Sequence, residues 1–283
     1  MIAQPGAQEP KLRVTMIDVG WGDSIFLESI DSVGHSRYAL VDCNDTTYSR
    51  SSYIFIKRFF ERKGVALPSS SKLFDWVLLT HAHADHGQGL RRILNDFGAS
   101  HFWYSRSANS PALLAALLSF ASTSSRVAQY DFVDTSKVLP SFGSATMEVL
   151  WPRPGAPSLN ENNNSVVLTI ALGETTFVLT GDAEADAVWT TISGQIPSNT
   201  KFFKVPHHGA WNGTFTTSMT TPWLSALPND IALGISSHVH PHPHPDASVV
   251  SALVAKTTYR TDLHYHVSVE TDGKDIQVSY SHI

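Results

Sequence analysis

The chain has 283 residues, 42% of them apolar, which is ordinary for a globular protein and enough for one sizeable core. A net charge of −5 with 16% charged residues excludes a broad basic face, and with it tight, sequence-independent binding of long nucleic acid; a small or phosphorylated substrate stays compatible. Met1 to Leu12 lacks the basic and apolar stretches of a secretion signal, no later run is long enough to span a membrane, and the one cysteine, Cys43, has no internal disulfide partner, so a soluble cytoplasmic protein is expected.

Residues 1–12, with Pro5, Gly6 and Pro10, read as a flexible leader, and 13–283 as a single domain. Leu12 to Ile17 and Ser24 to Glu28 have strand character and flank the turn Val19-Gly20-Trp21-Gly22-Asp23; Tyr38 to Val41 is a third strand ending at Asp42. Tyr48 to Lys63 has helical spacing and closes at Gly64. Phe74 to Leu79 is a short apolar strand of the kind buried on both faces, followed by a helix over Gly89–Phe97, a strand over His101–Tyr104 and a helix over Ser110–Ala121. In the second half, Val166–Leu172 and Thr175–Thr180 form a hairpin across Gly173-Glu174. A helix is expected over Ala183–Ile192, strands over Lys201–Val205 and Ile231–Ile235, a helix over Ala247–Ala255, and a last hairpin pairing Tyr265–Glu270 with Gln277–Tyr280. The alternation predicts an α/β protein of two packed sheets with helices outside.

The fourteen histidines cluster in a few short stretches. In Thr80-His81-Ala82-His83-Ala84-Asp85-His86-Gly87, four potential ligands fall within six positions on a loop leaving a buried strand. His81 and His83 can point one way to one ion while Asp85 and His86 turn to a second beside it. Two ions about 3.5–4 Å apart can share a hydroxide and stabilise both attacking and leaving oxygens.

That segment resembles the signature of the metallo-β-lactamase superfamily, and flanking motifs resemble its branch formed by the hydrolase domain of ComEC/Rec2-type competence proteins. The matching stretches are Ile17 to Ser24, Leu40-Val41-Asp42, Asn162-Asn163-Asn164-Ser165-Val166-Val167-Leu168, Leu179-Thr180-Gly181-Asp182, Lys204-Val205-Pro206-His207-His208-Gly209 and His244-Pro245, in family order over most of the chain. The resemblance implies an αββα sandwich of two mixed sheets with the metals at one edge. It implies His81, His83, Asp85, His86, Asp182 and one histidine of the adjacent pair, His207 in preference to His208, as metal ligands, with Asp182 bridging two divalent ions. His208 becomes a proton donor or substrate contact, and Asp85 and His208 the catalytic pair. Asp42, Asp23, Asn164 and His244 are the residues supporting the ligands. Nitrogen and oxygen donors without sulfur suit zinc, and also manganese or iron; a single ion is the alternative to two.

The chain departs from the family pattern in ways that bear on ligands and substrate. Many members supply another histidine between the first cluster and the bridging aspartate; here that stretch offers His101, in a predicted strand, and then Asn162 to Asn164, so an amide oxygen or water can take the place. Trp21 stands where the branch often has Gln, and Ala210 where it has Ser. His238-Val239-His240-Pro241-His242-Pro243-His244-Pro245 would, if extended, point its four imidazoles to one side; an exposed loop at the mouth of the site is favoured over a second metal site. Cys43 reads as a small buried residue, and Phe102-Trp103-Tyr104 as core, with Trp211 a candidate pocket wall. The function expected is metal-dependent hydrolysis of a phosphodiester, of a nucleotide, nucleic-acid end or choline-phosphate type. Hydrolysis of a carbonyl ester, lactone or thioester is the alternative within the class, and non-catalytic metal or partner binding the alternative outside it.

Overall fold

The structure, a computed structural model, describes residues 9–66 and 72–281. Most of the leader expected at residues 1–12 therefore lies outside the described residues, but its end does not. Lys11 and Leu12 are the first two residues of strand β1, so the ordered domain begins earlier than residue 13.

Two halves repeat one plan. Strands β1 (Lys11–Met16), β2 (Ile25–Ile30) and β3 (Ser36–Val41) form an antiparallel meander, after which β4 (Phe74–Leu79), β5 (Ala99–Tyr104) and β6 (Val127–Phe132) add in parallel. In the second half, β7 (Thr146–Trp151), β8 (Val167–Leu172) and β9 (Thr175–Leu179) are antiparallel, and β10 (Thr200–Lys204), β11 (Ala232–Ile235) and β12 (Thr257–Arg260) follow in parallel. The chain then returns to the first sheet through β13 (Val267–Thr271) and β14 (Ile276–Tyr280). The sheet orders are β14-β13-β1-β2-β3-β4-β5-β6 and β12-β11-β10-β9-β8-β7.

Burial follows from this layering. Alternate residues of the sheets, including Val14, Leu27, Trp76, Leu168, Phe177 and Phe202, fill the space between them. The opposite face of the first sheet packs through Phe26, Val77 and Phe102 against helices α1 (Ser51–Arg62), α2 (Leu90–Phe97) and α3 (Ala112–Thr123), and that of the second through Val178 and Phe203 against Trp189, Trp223 and Val249. Strands covered on both sides need apolar residues at nearly every position, which is why β4 reads Phe-Asp-Trp-Val-Leu-Leu with one polar break. The mixed-sheet sandwich expected from the sequence is thus observed. No helix among the described residues is long and apolar enough to cross a membrane.

Some boundaries differ for physical reasons. The helix expected over Ala183–Ile192 is wide-wound at Ala185–Trp189, where Trp189 N–H donates to Glu184 O (3.3 Å), and α-helical only at Thr190–Ile192. The wider turn accompanies a bond from the buried Trp189 indole to Ala183 O at 2.8 Å. Helix α1 starts at Ser51 rather than Tyr48 because Asp45, six residues ahead, takes its first free N–H groups: Oδ1 accepts from Ser52 (2.9 Å) and Oδ2 from Tyr53 (2.8 Å). A cap of this kind contributes about 0.5–2 kcal/mol. Asp45→Ala is expected to lower the urea midpoint by a stability loss in that range without changing the slope, and an unchanged midpoint would show that the cap does not hold α1.

Candidate metal centre

Parallel pairing gathers the site. Because β3 runs parallel to β4, and β9, β10 and β11 parallel to one another, the residues that follow these strands emerge at one edge of the sandwich. They are Asp42 after β3, Thr80 to His86 after β4, Gly181-Asp182 after β9, Pro206 to His208 after β10 and Ser236-Ser237 after β11. The turn between β1 and β2 closes over them. Gly22 there has φ +99° and a Cβ on it would stand 2.3 Å from the carbonyl oxygen of Asp85, so only glycine fits.

One oxygen is the focus. Asp182 Oδ2 lies 3.1 Å from His86 Nε2, 3.4 Å from His208 Nε2 and 3.8 Å from both His81 Nε2 and His207 Nε2. Asp85 Oδ2 is 3.5 Å from His208 Nε2 and 3.6 Å from His86 Nε2, and His83 Nδ1 is 3.0 Å from His81 Nε2. Asp85, His86, Asp182 and His208 can each offer a ligand atom within 4.8 Å of the others, and all four are buried. All six residues expected as ligands are therefore in one cluster, with His208 added to them. Of the adjacent pair, His208 is the more enclosed and its Nε2 reaches two carboxylates, Asp85 and Asp182, whereas His207 is 19% exposed and its Nε2 reaches one. His208 Nε2 thus lies nearer Asp182 than His207 Nε2 does, 3.4 Å against 3.8 Å.

A surrounding layer holds the cluster in place. Asp42 Oδ2 accepts from His86 Nδ1 and from Thr80 Oγ1, both at 2.7 Å, while Oδ1 accepts from Thr80 N–H at 2.8 Å. This leaves His86 Nε2 facing Asp182. Asp23 forms a fully buried pair with Lys204 (2.8 Å) and lies 3.5 Å from His208 Nδ1, which donates to Ser236 O at 3.0 Å. Ser165 Oγ accepts from Asp182 N–H and stands 3.2 Å from His81 Nδ1. Glu161 accepts from Ala82 N–H (3.1 Å), between the first two histidines. Asp42, His207 and His208 all have positive φ, a backbone state costing about 1–2 kcal/mol per non-glycine residue, so packing and hydrogen bonds elsewhere offset the cost of aiming these side chains.

The electrostatics match a place for cations. Burial opposes ionisation of Asp182, yet His208, His86 and His207 hold its carboxyl well below the usual range. Burial works against the imidazolium at His86 and His208 as well, but the carboxylates win: Asp182, Asp42 and Asp85 raise His86 well above its ordinary value, and Asp182 and Asp23 raise His208 to about 10. His81, desolvated and beside His86, is pushed well below its ordinary value and stays neutral. Protons on His86 and His208 thus occupy the role that a divalent ion would take over with their release.

Asp182 Oδ1, His208 Nε2, His207 Nδ1 and His244 Nδ1 are buried polar atoms without hydrogen-bond partners. Unmet polar atoms of this density, all capable of donating lone pairs in suitable protonation states, fit divalent metal. They border a cavity of about 440 Å³ that also touches Trp21, His83, Asp85, Asn162 and His242.

Other expectations sort cleanly. His244 lies at the cavity with its ring 6.0 Å from His207, and Asp23 and Asp42 contact the histidines directly. Asn164 instead staples its own loop, with Oδ1 accepting from Ser158 N–H and Nδ2 donating to Ser158 O and Glu161; its neighbour Asn162 is the amide at the cavity. His101 lies in β5 against Trp103, on another cleft. The histidine run bends and is not an extended strand: His238 accepts from His240 N–H, while His242 packs on Trp21 at 5.2 Å and on His244 at 6.0 Å. Cys43 is free and buried, and burial pushes its thiol well up. Phe102 and Trp103 are core, and Trp211 stacks on Phe215 and does not line the cavity. Lys204, Glu161 and Ser165 also take part in the site, and the sequence motifs assign them no role. Lys204 had a signal, a charge inside the apolar run Phe202-Phe203-Lys204-Val205.

The profile of the metallo-beta-lactamase superfamily matches residues 72–217, just over half of the chain, and the chain belongs to that family, whose members are in general metal-dependent hydrolases. Solved structures similar to it include Igni18, a metallo hydrolase from the hyperthermophilic archaeon Ignicoccus hospitalis, at 12% identity over 95% of this chain and 100% of that one, with a TM-score of 0.47. A long form RNase Z from yeast is similar at 11% identity over 81% of this chain and 37% of that one, with a TM-score of 0.45. No curated protein matches the sequence.

If Asp42 orients His86 for an ion, Asp42→Asn should weaken divalent-metal affinity about 10–100-fold, because an amide supplies one acceptor oxygen where the carboxylate supplies two. Competition against a chelator of known affinity measures this, and wild-type affinity in the variant would remove Asp42 from the metal centre.

Proposed function

We propose that this chain is a metal-dependent hydrolase of a small phosphodiester. The observation that carries the reading is the convergence of four imidazoles on Asp182 Oδ2 within 3.8 Å, with Asp85 beside them. Imidazole and carboxylate donors without sulfur suit zinc, manganese or iron acting on oxygen-rich substrates. The flanking motifs resemble the ComEC/Rec2 branch, and the net charge of −5 argues for a compact substrate over a long polyanion.

In this reading Asp85, His86, His208, His81, His83 and Asp182 would hold divalent metal. Divalent ions so held supply Lewis acidity to the scissile group and lower the pKa of water. The chain's residues set the geometry around that chemistry. Asp42 fixes the His86 ring, the Asp23–Lys204 pair supports His208 from below, and Ser165 holds the Asp182 backbone. His207, bordering the cavity and the more exposed of its pair, is positioned to donate a proton to the leaving oxygen. Trp21 and His242 form one wall of the cavity, excluding water from one side of the reacting group.

The test is turnover by metal-loaded protein of aryl phosphodiesters, nucleotides and short single-stranded oligonucleotides, beside carbonyl esters, lactones and thioesters. Phosphodiester turnover lost on chelation and restored by a divalent ion is expected. Turnover confined to the carbonyl substrates would contradict the phosphodiester, and no turnover by fully loaded protein would contradict the hydrolase. Within an active enzyme, His208→Ala should weaken metal affinity about 10–100-fold. His207→Ala should retain metal and lose about 10²–10⁴-fold in kcat. The opposite pattern would return the two rings to the roles expected from sequence.

A further inference from the structure

Two residues after Asp182, the Glu184 carboxylate collects four asparagine amides. Asn162 Nδ2 (3.0 Å) and Asn212 Nδ2 (2.8 Å) donate to Oε1, and Asn160 Nδ2 (2.8 Å) and Asn163 Nδ2 (3.3 Å) donate to Oε2. Glu184 N–H in turn donates to Asn163 Oδ1 at 3.2 Å. The network joins three segments of the site: the asparagine turn at 160–163, the loop bearing Asp182, and the helical turn Trp211–Thr214 that follows His207 and His208. The roles assigned above do not use it.

Its consequence falls on Asn162. With the amide nitrogen committed to a carboxylate, the side chain cannot flip without setting its carbonyl oxygen against Glu184, so the orientation of the amide is determined by the network. The opposite atom, Asn162 Oδ1, is buried and has no donor to meet. Asn162 borders the same cavity as His83 and Asp182, residues that offer lone pairs. A buried carbonyl oxygen among lone-pair donors is stabilised by a cation between them.

We propose that Asn162 Oδ1 is a metal ligand in the cavity it lines with His83 and Asp182, and that Glu184 is the positioning residue that sets its amide. The proposal rests on the reading that the cavity holds divalent ions. Glu184 must be a carboxylate for this purpose: Gln would replace one acceptor oxygen with an NH2 group facing two other NH2 groups.

Titration of chelator-stripped protein with Co(II), followed by visible absorption and by bound cobalt, tests it. Asn162→Ala should weaken the weakest-bound ion, or the sole ion if wild type binds one, by at least about ten-fold and alter its absorption bands. Asn162→His, whose ring can donate one N–H to Glu184 and present its other nitrogen, should bind at least as tightly as wild type. Glu184→Gln should weaken binding in the same direction as Asn162→Ala, by less. Circular dichroism confirms that each variant is folded. If wild type binds cobalt and Asn162→Ala binds it with the same number and affinity, the proposal is overturned while the metal reading stands; wild type that binds no cobalt overturns both. Should Asn162→Ala fail to fold, Glu184→Gln decides, and unchanged affinity there overturns the proposal.

Discussion

Four carboxylates, Asp23, Asp42, Asp85 and Asp182, are buried at one sheet edge with one fully buried lysine, Lys204, and the imidazoles of His81, His86 and His208. Burying an unpaired carboxylate is costly enough that the group normally neutralises. Here surrounding imidazoles hold the carboxyls of Asp182 and Asp85 below the usual range, and the carboxylates in return push His86 and His208 up. Lys204 offsets only one of these four carboxylates, and the others rely on protons or metal ions at the ring nitrogens. The Lys204–Asp23 pair follows from that constraint, and the three non-glycine residues at positive φ and Gly22 seated against Asp85 lie at the same edge.

The sandwich makes such a concentration of polar groups tolerable. Three apolar layers, one between the sheets and one outside each, leave the strand ends free of packing duties, and parallel pairing delivers several ends to the same place. Support then passes outward through short side-chain contacts. Asp42 ties His86 to Thr80, Ser165 ties Asp182 to His81, and Glu161 ties the backbone between the histidines to the asparagine turn. A site assembled in this way is positioned by rigid strands even though its residues lie on loops.

The parts legible in the sequence were those encoded locally. The spacing of His81, His83, Asp85 and His86 after an apolar strand identifies a ligand cluster because one loop carries it, and the hairpin at Gly173-Glu174 is readable from its turn. What depends on distant contacts was not legible. Adjacent imidazoles at 207 and 208 differ only in which strand ends face them, and Asn162 differs from Asn164 only through Glu184 and Ser158. Strands β6 and β12, at sheet edges, show mainly exposed or half-buried residues and so lack the apolar pattern that marked β4. The start of α1 was missed because its cap comes from Asp45, outside the usual adjacent position.

The central claim is that Asp182 is the shared carboxylate of a metal centre. Anomalous diffraction from crystals of protein loaded with a single transition metal tests it most directly. The account predicts anomalous peaks about 2.0–2.2 Å from the Asp182 carboxylate and from His86 Nε2. Peaks confined to the His238–His244 loop, or none near Asp182 at full metal loading, would contradict it.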